Sequence, residues 1–157
     1  MSKKDVDVFD ESNTIQSNWM KFNVPQEDLM YGTFVSKRQI KSTMKDKEGQ
    51  LVWVYEFKCD YGTFHKLDEM KQIIPEPVKI EAGEYYLVSK DSIDSQMRNI
   101  AVGTKVGMKL IEIVPAKTKG YNPAKIVRVY VPKDDNGAPK MDKEFVEAQA
   151  AETGGFA

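Results

Sequence analysis

Apolar and polar positions alternate most cleanly in 51-LVWVYEFKCD-60. Leu51, Trp53, Tyr55, Phe57 and Cys59 take the odd positions, and Glu56, Lys58 and Asp60 the later even ones. A period of two is that of a strand, and it places the aromatic rings on one face. The preceding segment, 30-MYGTFVSKRQIKS-42, is rich in β-branched and aromatic residues and predicts another strand. Between them, 45-KDKEGQ-50 has turn composition, with Gly49 expected at positive φ. After the alternating run, 61-YG-62 predicts a tight reversal into 63-TFHKLDEM-70. A proline-flanked connection, 74-IPEPVKIEAGE-84, then leads to a short strand in 85-YYLVSK-90.

One helical stretch follows. Ile93, Met97 and Ile100 recur at i, i+4 and i+7, which makes an apolar stripe. Asp91 is the expected N-cap, Asp94 sits in the first turn, and the helix is expected to end near Asn99. Next, 102-VGTKVGMKLIEIVPA-116 reads as a strand opened by glycines, with 124-AKIVRVYVP-132 as its partner. In that partner Val127, Val129 and Val131 are expected inside, which puts Arg128 and Tyr130 together on the other face. The first 28 residues lack periodicity, although Trp19 and Phe22 are expected to pack back on the domain. The sum predicts a mainly β fold: a small five- or six-stranded barrel with one short helix and flexible termini. Its expected parts are an acidic segment over 1–28, the β domain over 29–133, and an acidic, mobile tail over 134–157 with a helical turn around 141–152.

Charge adds what periodicity leaves out. The net charge of −1 conceals a strong division along the chain. Residues 1–28 carry three bases against six acids, and residues 134–157 carry two against six. The middle, 29–133, carries eighteen bases against twelve acids. A nearly neutral chain of this kind has room for a local polyanion site.

Other chemistries find little support. Cys59 and His65 are the only thiol and imidazole, too few for a closed tetrahedral metal site, and His65 reads as a surface or interface histidine. No nucleophile–base pattern stands out, and 103-GTKVG-107 has neither common phosphate-loop spacing. Glu56 and Lys58, with Asp46 and Glu48 upstream, have the makings of a metal-dependent nuclease, but such a tripeptide is common in a chain this charged. The expectation is a non-enzymatic protein without cofactor or metal. A lone cysteine, no apolar run of about 20 residues, and acids where a signal peptide would be apolar favour a cytoplasmic protein, that of the host cell if the chain is phage-encoded.

The strongest constellation is aromatic plus basic. Sequence-tolerant binding of single strands needs cations for phosphates and flat side chains for bases. Tyr31, Phe34, Lys37 and Arg38 lie on one predicted strand, Trp53 and Tyr55 on the next, and Phe64 and Lys66 after it. Lys117, Lys119, Tyr121, Lys125, Arg128 and Tyr130 follow within 117-KTKGYNPAKIVRVYV-131, which has no acid. Phe57 is read as core. Trp53 and Tyr55 keep two readings, core or ligand face, because Val52 and Val54 also offer core contacts on the opposite face.

Over 85–131, a strand, a short helix, the "VGTKV" entry to a strand, a Lys/Gly-rich loop and a valine-rich strand resemble the distal half of an OB-fold. They are most similar to the small single-stranded DNA-binding proteins found among bacteriophages. The segments 31-YGTFVSKRQ-39 and 51-LVWVYEFKCDYGTFHKL-67 resemble the first three strands of such a barrel. The resemblance implies single-stranded DNA as partner, a role in phage DNA replication or recombination, and recruitment of replication proteins through an acidic tail. The tail departs from the bacterial pattern: no aspartate run precedes a Pro-Phe end, and Ala157 follows Phe156. The alternative expectation is a β-barrel protein–protein adaptor or virion component. The sequence leaves oligomeric state open, a homo-oligomer included, and predicts no membrane partner.

Overall fold

The alternating segments form strands that pair in one sheet. The computed structural model describes residues 18–41, 49–117 and 123–154. Its strands are β1 (Asn18–Trp19), β2 (Leu29–Lys41), β3 (Leu51–Phe64), β4 (Val78–Ile80), β5 (Tyr85–Val88), β6 (Lys105–Val114) and β7 (Ala124–Tyr130). The helices are α1 (Asp91–Met97) and α2 (Lys143–Gly154). The sheet order is β1-β5-β3-β2-β6-β7, with β4 also on β3. The β1–β5 pair is parallel and the others are antiparallel. No helix among the described residues is long and apolar enough to cross a membrane.

One sheet face carries the core. Phe34 packs on Phe57 and Tyr55, and Phe64 meets Tyr86 edge-on at 5.8 Å. Met30, Val106, Met108, Leu110 and Val127 complete the apolar layer. The predicted helix stripe enters it, with Ile93 and Met97 fully buried and Ile100 packed at its edge. Gly49 has the expected positive φ, at 80°.

The expected barrel is corrected: among the described residues no strand pairing closes the sheet, and there are seven strands rather than five or six. The reason lies on the outer edge of β7. The Ser92 hydroxyl donates to Lys125 O and accepts from Val127 N–H, while the Gln96 amide donates to Val127 O and accepts from Val129 N–H. Two side chains of α1 thus take the bonds another strand would make.

The reversal expected at 61-YG-62 is also overturned, because β3 runs through it. A Cβ on Gly62 would lie 2.7 Å from Leu29 O and 2.8 Å from Ile80 Cδ1, so the glycine admits β2 and β4 to close approach. Just before it the pairing jumps from Gly32↔Cys59 to Tyr31↔Tyr61, which leaves Asp60 as a bulged extra residue. One inserted residue exchanges the two faces of a strand. Cys59 is therefore core, and Tyr61, two residues on, is exposed. At the helix, Lys90 holds the N-cap place without a side-chain bond to the first helical turn, and Asp91 is the first helical residue. Its charge still suits the positive end of the helix.

Described residues near each end join the domain, Phe22 as expected and residues 140–142 beyond expectation. Met20 and Phe22 are buried in the core, whereas Trp19 is 43% exposed and does not pack back. The acidic C-terminal segment is anchored in its first part rather than free. Lys105 N–H donates to Lys140 O, Asp142 N–H donates to Gly103 O, and Thr33 donates to Asp142 Oδ2 at 2.6 Å.

Candidate nucleic-acid interface

The face of the sheet opposite the core carries a row of tyrosines. Tyr61 on β3 pairs with Tyr31 on β2, Tyr31 with Gly107 on β6, and Gly107 with Tyr130 on β7. Directly paired residues share a face. The Tyr31 and Tyr61 rings lie 5.5 Å apart at 33°, and Tyr61 and Tyr130 are 56% and 42% exposed. Together with Leu29, Lys109 and Pro132 they line an open groove of about 520 Å³.

The two sides of this row differ in charge. On one side Leu29 pairs with Lys109 and Lys109 with Arg128. Neither cation meets a carboxylate among the described residues. On the other side Lys105 sits 5.6 Å over the Tyr31 ring, held by Asp60 at 2.6 Å and Asp142 at 3.9 Å. The Tyr31 phenol is raised above its usual pKa by burial, with Lys105 opposing that shift and Asp60 adding to it. It stays a neutral ring suited to stacking. Burial alone would raise the Asp142 carboxyl, but the Thr33 hydroxyl, the Phe145 amide and the Lys105 charge outweigh it and hold the group below the usual carboxylate range.

The residues singled out from sequence divide. Arg128 and Tyr130 do share an exposed face, with Tyr130 lining the groove and Arg128 beside it, paired with the groove residue Lys109. Lys37, Arg38 and Trp53 lie at the far end of the β2–β3 hairpin, with Lys37 5.2 Å over the half-buried Trp53 ring. Six residues separate Lys37 from Tyr31, roughly 20 Å along a strand. Lys117 is exposed in the β6–β7 loop, beyond the opposite end of the sheet from Lys37, so no one wall holds both. Lys66 is exposed after β3 and lines no part of the groove. Lys119 and Tyr121 lie outside the described residues, as do Asp46 and Glu48.

Four candidates are corrected. Tyr55 and Phe64 are each 2% exposed, and Phe34 is wholly buried, so their rings are closed to a stacking base. The Tyr55 hydroxyl donates to Asp94 Oδ1 at 3.0 Å, and its pKa is raised by burial and by that bond. Lys125 is half-buried and donates to Asn23 Oδ1 at 2.8 Å, which withdraws it from the surface. Burial lowers its pKa, opposed by the nearby Asp28.

Sequence reasoning missed Tyr61 and Lys109. The sequence placed Tyr61 in a reversal, and alternation carried past Cys59 would have put it on the core face, which the Asp60 bulge reverses. Lys109 is legible as the residue two beyond Gly107, once Tyr130 fixes which face of β6 is outward.

His65 is not a surface histidine. It is buried, its Nδ1 is 2.7 Å from Asp28 Oδ1, and Asp28 Oδ2 accepts the Asn23 and Val24 amides at 2.6 and 2.9 Å. The Asn23 side chain in turn donates to His65 O at 2.6 Å. This cluster ties the N-terminal segment to the end of β3. Cys59 is fully buried, and burial pushes its thiol up to about 12. No group of three or more metal-ligating side chains occurs among the described residues. Comparisons with family models, with curated proteins and with solved structures return no match.

Proposed function

We propose that the protein is a non-enzymatic, sequence-tolerant single-stranded DNA-binding protein that uses the tyrosine groove. The observation that carries this reading is the row Tyr61–Tyr31–Gly107–Tyr130, with Lys109 and Arg128 along one side. Exposed rings offer faces to any base, and the adjacent cations meet phosphates and release counterions. An OB-like scaffold suits the open sheet, since that fold is itself a partly open five-stranded barrel. The order β5–α1–β6–β7 supports it too, being the strand, helix and two strands of the resemblance. A role in phage DNA replication or recombination follows from the resemblance alone.

The test is a binding titration with single-stranded DNA, duplex DNA and RNA at two salt concentrations. Single-stranded DNA is expected to bind best, with log affinity falling by about 0.7 per neutralised phosphate for each unit of log salt. Tyr130→Ala is expected to cost about 1–3 kcal/mol of binding, the worth of one stacked base. Arg128→Ala is expected to flatten the salt slope by about 0.7. Absence of binding at low salt would overturn the proposal.

A second reading, a protein–protein adaptor, has one observation in its favour. Leu67, Met70, Ile73 and Ile74 are all exposed on one loop, Met70 by 81%. The loop is held in shape by Asp68 Oδ1, which accepts the Met70 and Gln72 amides. Stable complex formation with a protein, and none with nucleic acid, would favour that reading.

A further inference from the structure

Gly107 is the third residue of β6, between Tyr31 and Tyr130 in the tyrosine row, and the fold does not require a glycine there. Its φ is not in the left-handed region. A Cβ at this position would lie 3.6 Å from Tyr31 Cδ1, 3.7 Å from Met30 O and 3.7 Å from Tyr130 Cβ, all ordinary contacts. Gly62 is different, since there a Cβ would strike backbone. Glycine weakens a strand interior through its extra unfolded-state freedom and the packing it forgoes. Strand glycines commonly mark a bulge, a tight bend or a close approach of a ligand or another backbone, and the pairing of Gly107 on both sides runs without a register shift.

The spacing decides what fits. Tyr31 and Tyr130 stand on strands separated only by β6, so their backbones are two strand spacings apart, about 9.6 Å. A flat ring between two others needs a contact distance of about 3.5 Å on each side, about 7 Å in all, and two stacked rings would need over 10 Å. The Tyr31 ring edge and Tyr130 Cβ lie 3.6 and 3.7 Å from the point where a Gly107 Cβ would stand, so the interval there is at most about 7 Å and admits no more than one planar ring system. Lys109 and Arg128 lie one pleat further along the same face, where phosphates on either side of an inserted base would run.

Resting on the single-stranded DNA reading of this groove, we infer that Gly107 is the floor of a slot that takes one unstacked nucleobase between Tyr31 and Tyr130. A base inside a duplex is stacked on its neighbours and cannot enter without being drawn out. The slot makes the groove selective for single strands, which a basic surface alone is not. Gly107 is then a specificity-determining residue, kept small for the ligand and not for the fold.

The experiment compares wild type, Gly107→Ala and Gly107→Leu. Each is melted thermally and titrated with an oligothymidylate of about 16 nucleotides and with a duplex of equal length. Gly107→Ala is expected to melt at or above the wild-type temperature yet bind the single strand severalfold more weakly. Gly107→Leu fills the slot and is expected to lose about 10- to 100-fold, the worth of one stacked base. Duplex binding, carried by Lys109 and Arg128, is expected to stay within about twofold in both variants. Folded Gly107→Leu protein with wild-type affinity for the single strand overturns the slot alone. If Gly107→Leu does not fold, wild-type affinity in Gly107→Ala overturns it in the same way. No binding of the oligothymidylate by wild type overturns both the slot and the function proposed above.

Discussion

Asp28 shows what a single buried side chain is asked to do. Its carboxyl is fully enclosed and accepts from two backbone amides and the His65 ring. Removing it strands three donors at once, two of them buried and the Val24 amide partly so, and leaving such groups unpaired costs more than their bonds contribute net. Asp28→Ala is expected to lose about 3–5 kcal/mol in a urea titration, and Asp28→Asn, which keeps an acceptor, distinctly less. An unchanged midpoint for Asp28→Ala would mean that water replaces the carboxyl and that the pocket is not closed. At this scale the sequence was uneven to read. Phe57 and Val127 followed from alternation, because a period of two needs no knowledge of partners. Tyr61 did not, because its face depends on a bulge that exists only when β2 lies alongside. Tyr55 and Lys125 did not either: their partners, Asp94 and Asn23, are 39 and 102 residues away.

The element that most shapes the molecule is α1. Its apolar stripe was legible from Ile93, Met97 and Ile100, but its polar side reads as ordinary solvated surface. In the fold that side holds Ser92 and Gln96, which complete the backbone bonding of β7. Nothing in 91-DSIDSQM-97 announces this, since the ladder being completed lies about 30 residues downstream. It also explains why a barrel was expected and an open sheet was found: a helix stands where strand pairing would have closed it. Gln96→Ala removes partners from Val127 O and Val129 N at a solvent-accessible edge. The expected cost is about 1–2 kcal/mol by chemical denaturation, since water recovers part of the bonding. A bared edge is also a template for another strand. The variant is therefore expected to self-associate at concentrations where wild type does not, as sedimentation would show. Unchanged stability and unchanged association would mean that the helix holds the edge by packing Ile93 and Met97 alone.

For the whole molecule, the division of charge in the sequence becomes a contact. The acidic C-terminal segment lies against the basic middle through Asp142, which takes the Thr33 hydroxyl and approaches Lys105. Met141, Phe145 and Val146 gather over Gly103 beside it. Composition showed that the ends and the middle have opposite signs, but not which acid would dock, because docking depends on the neighbouring apolar contacts. The carboxyl of Asp142 titrates lower in the folded chain than its ordinary value. Its stabilising share is accordingly complete above the unfolded-chain pKa, near 3.9, and vanishes as pH falls through the lower folded value. At pH 7 Asp142→Asn is expected to melt below wild type. That difference is expected to shrink as the pH drops under about 4 and to close once wild-type Asp142 is also protonated. Comparing the two proteins cancels the other carboxylates, which titrate alike in both. A difference that persisted undiminished to about pH 2 would mean that Asp142 acts through its shape and not its charge. The C-terminal segment would then be held on the sheet by Met141, Phe145 and Val146 without help from the charge asymmetry.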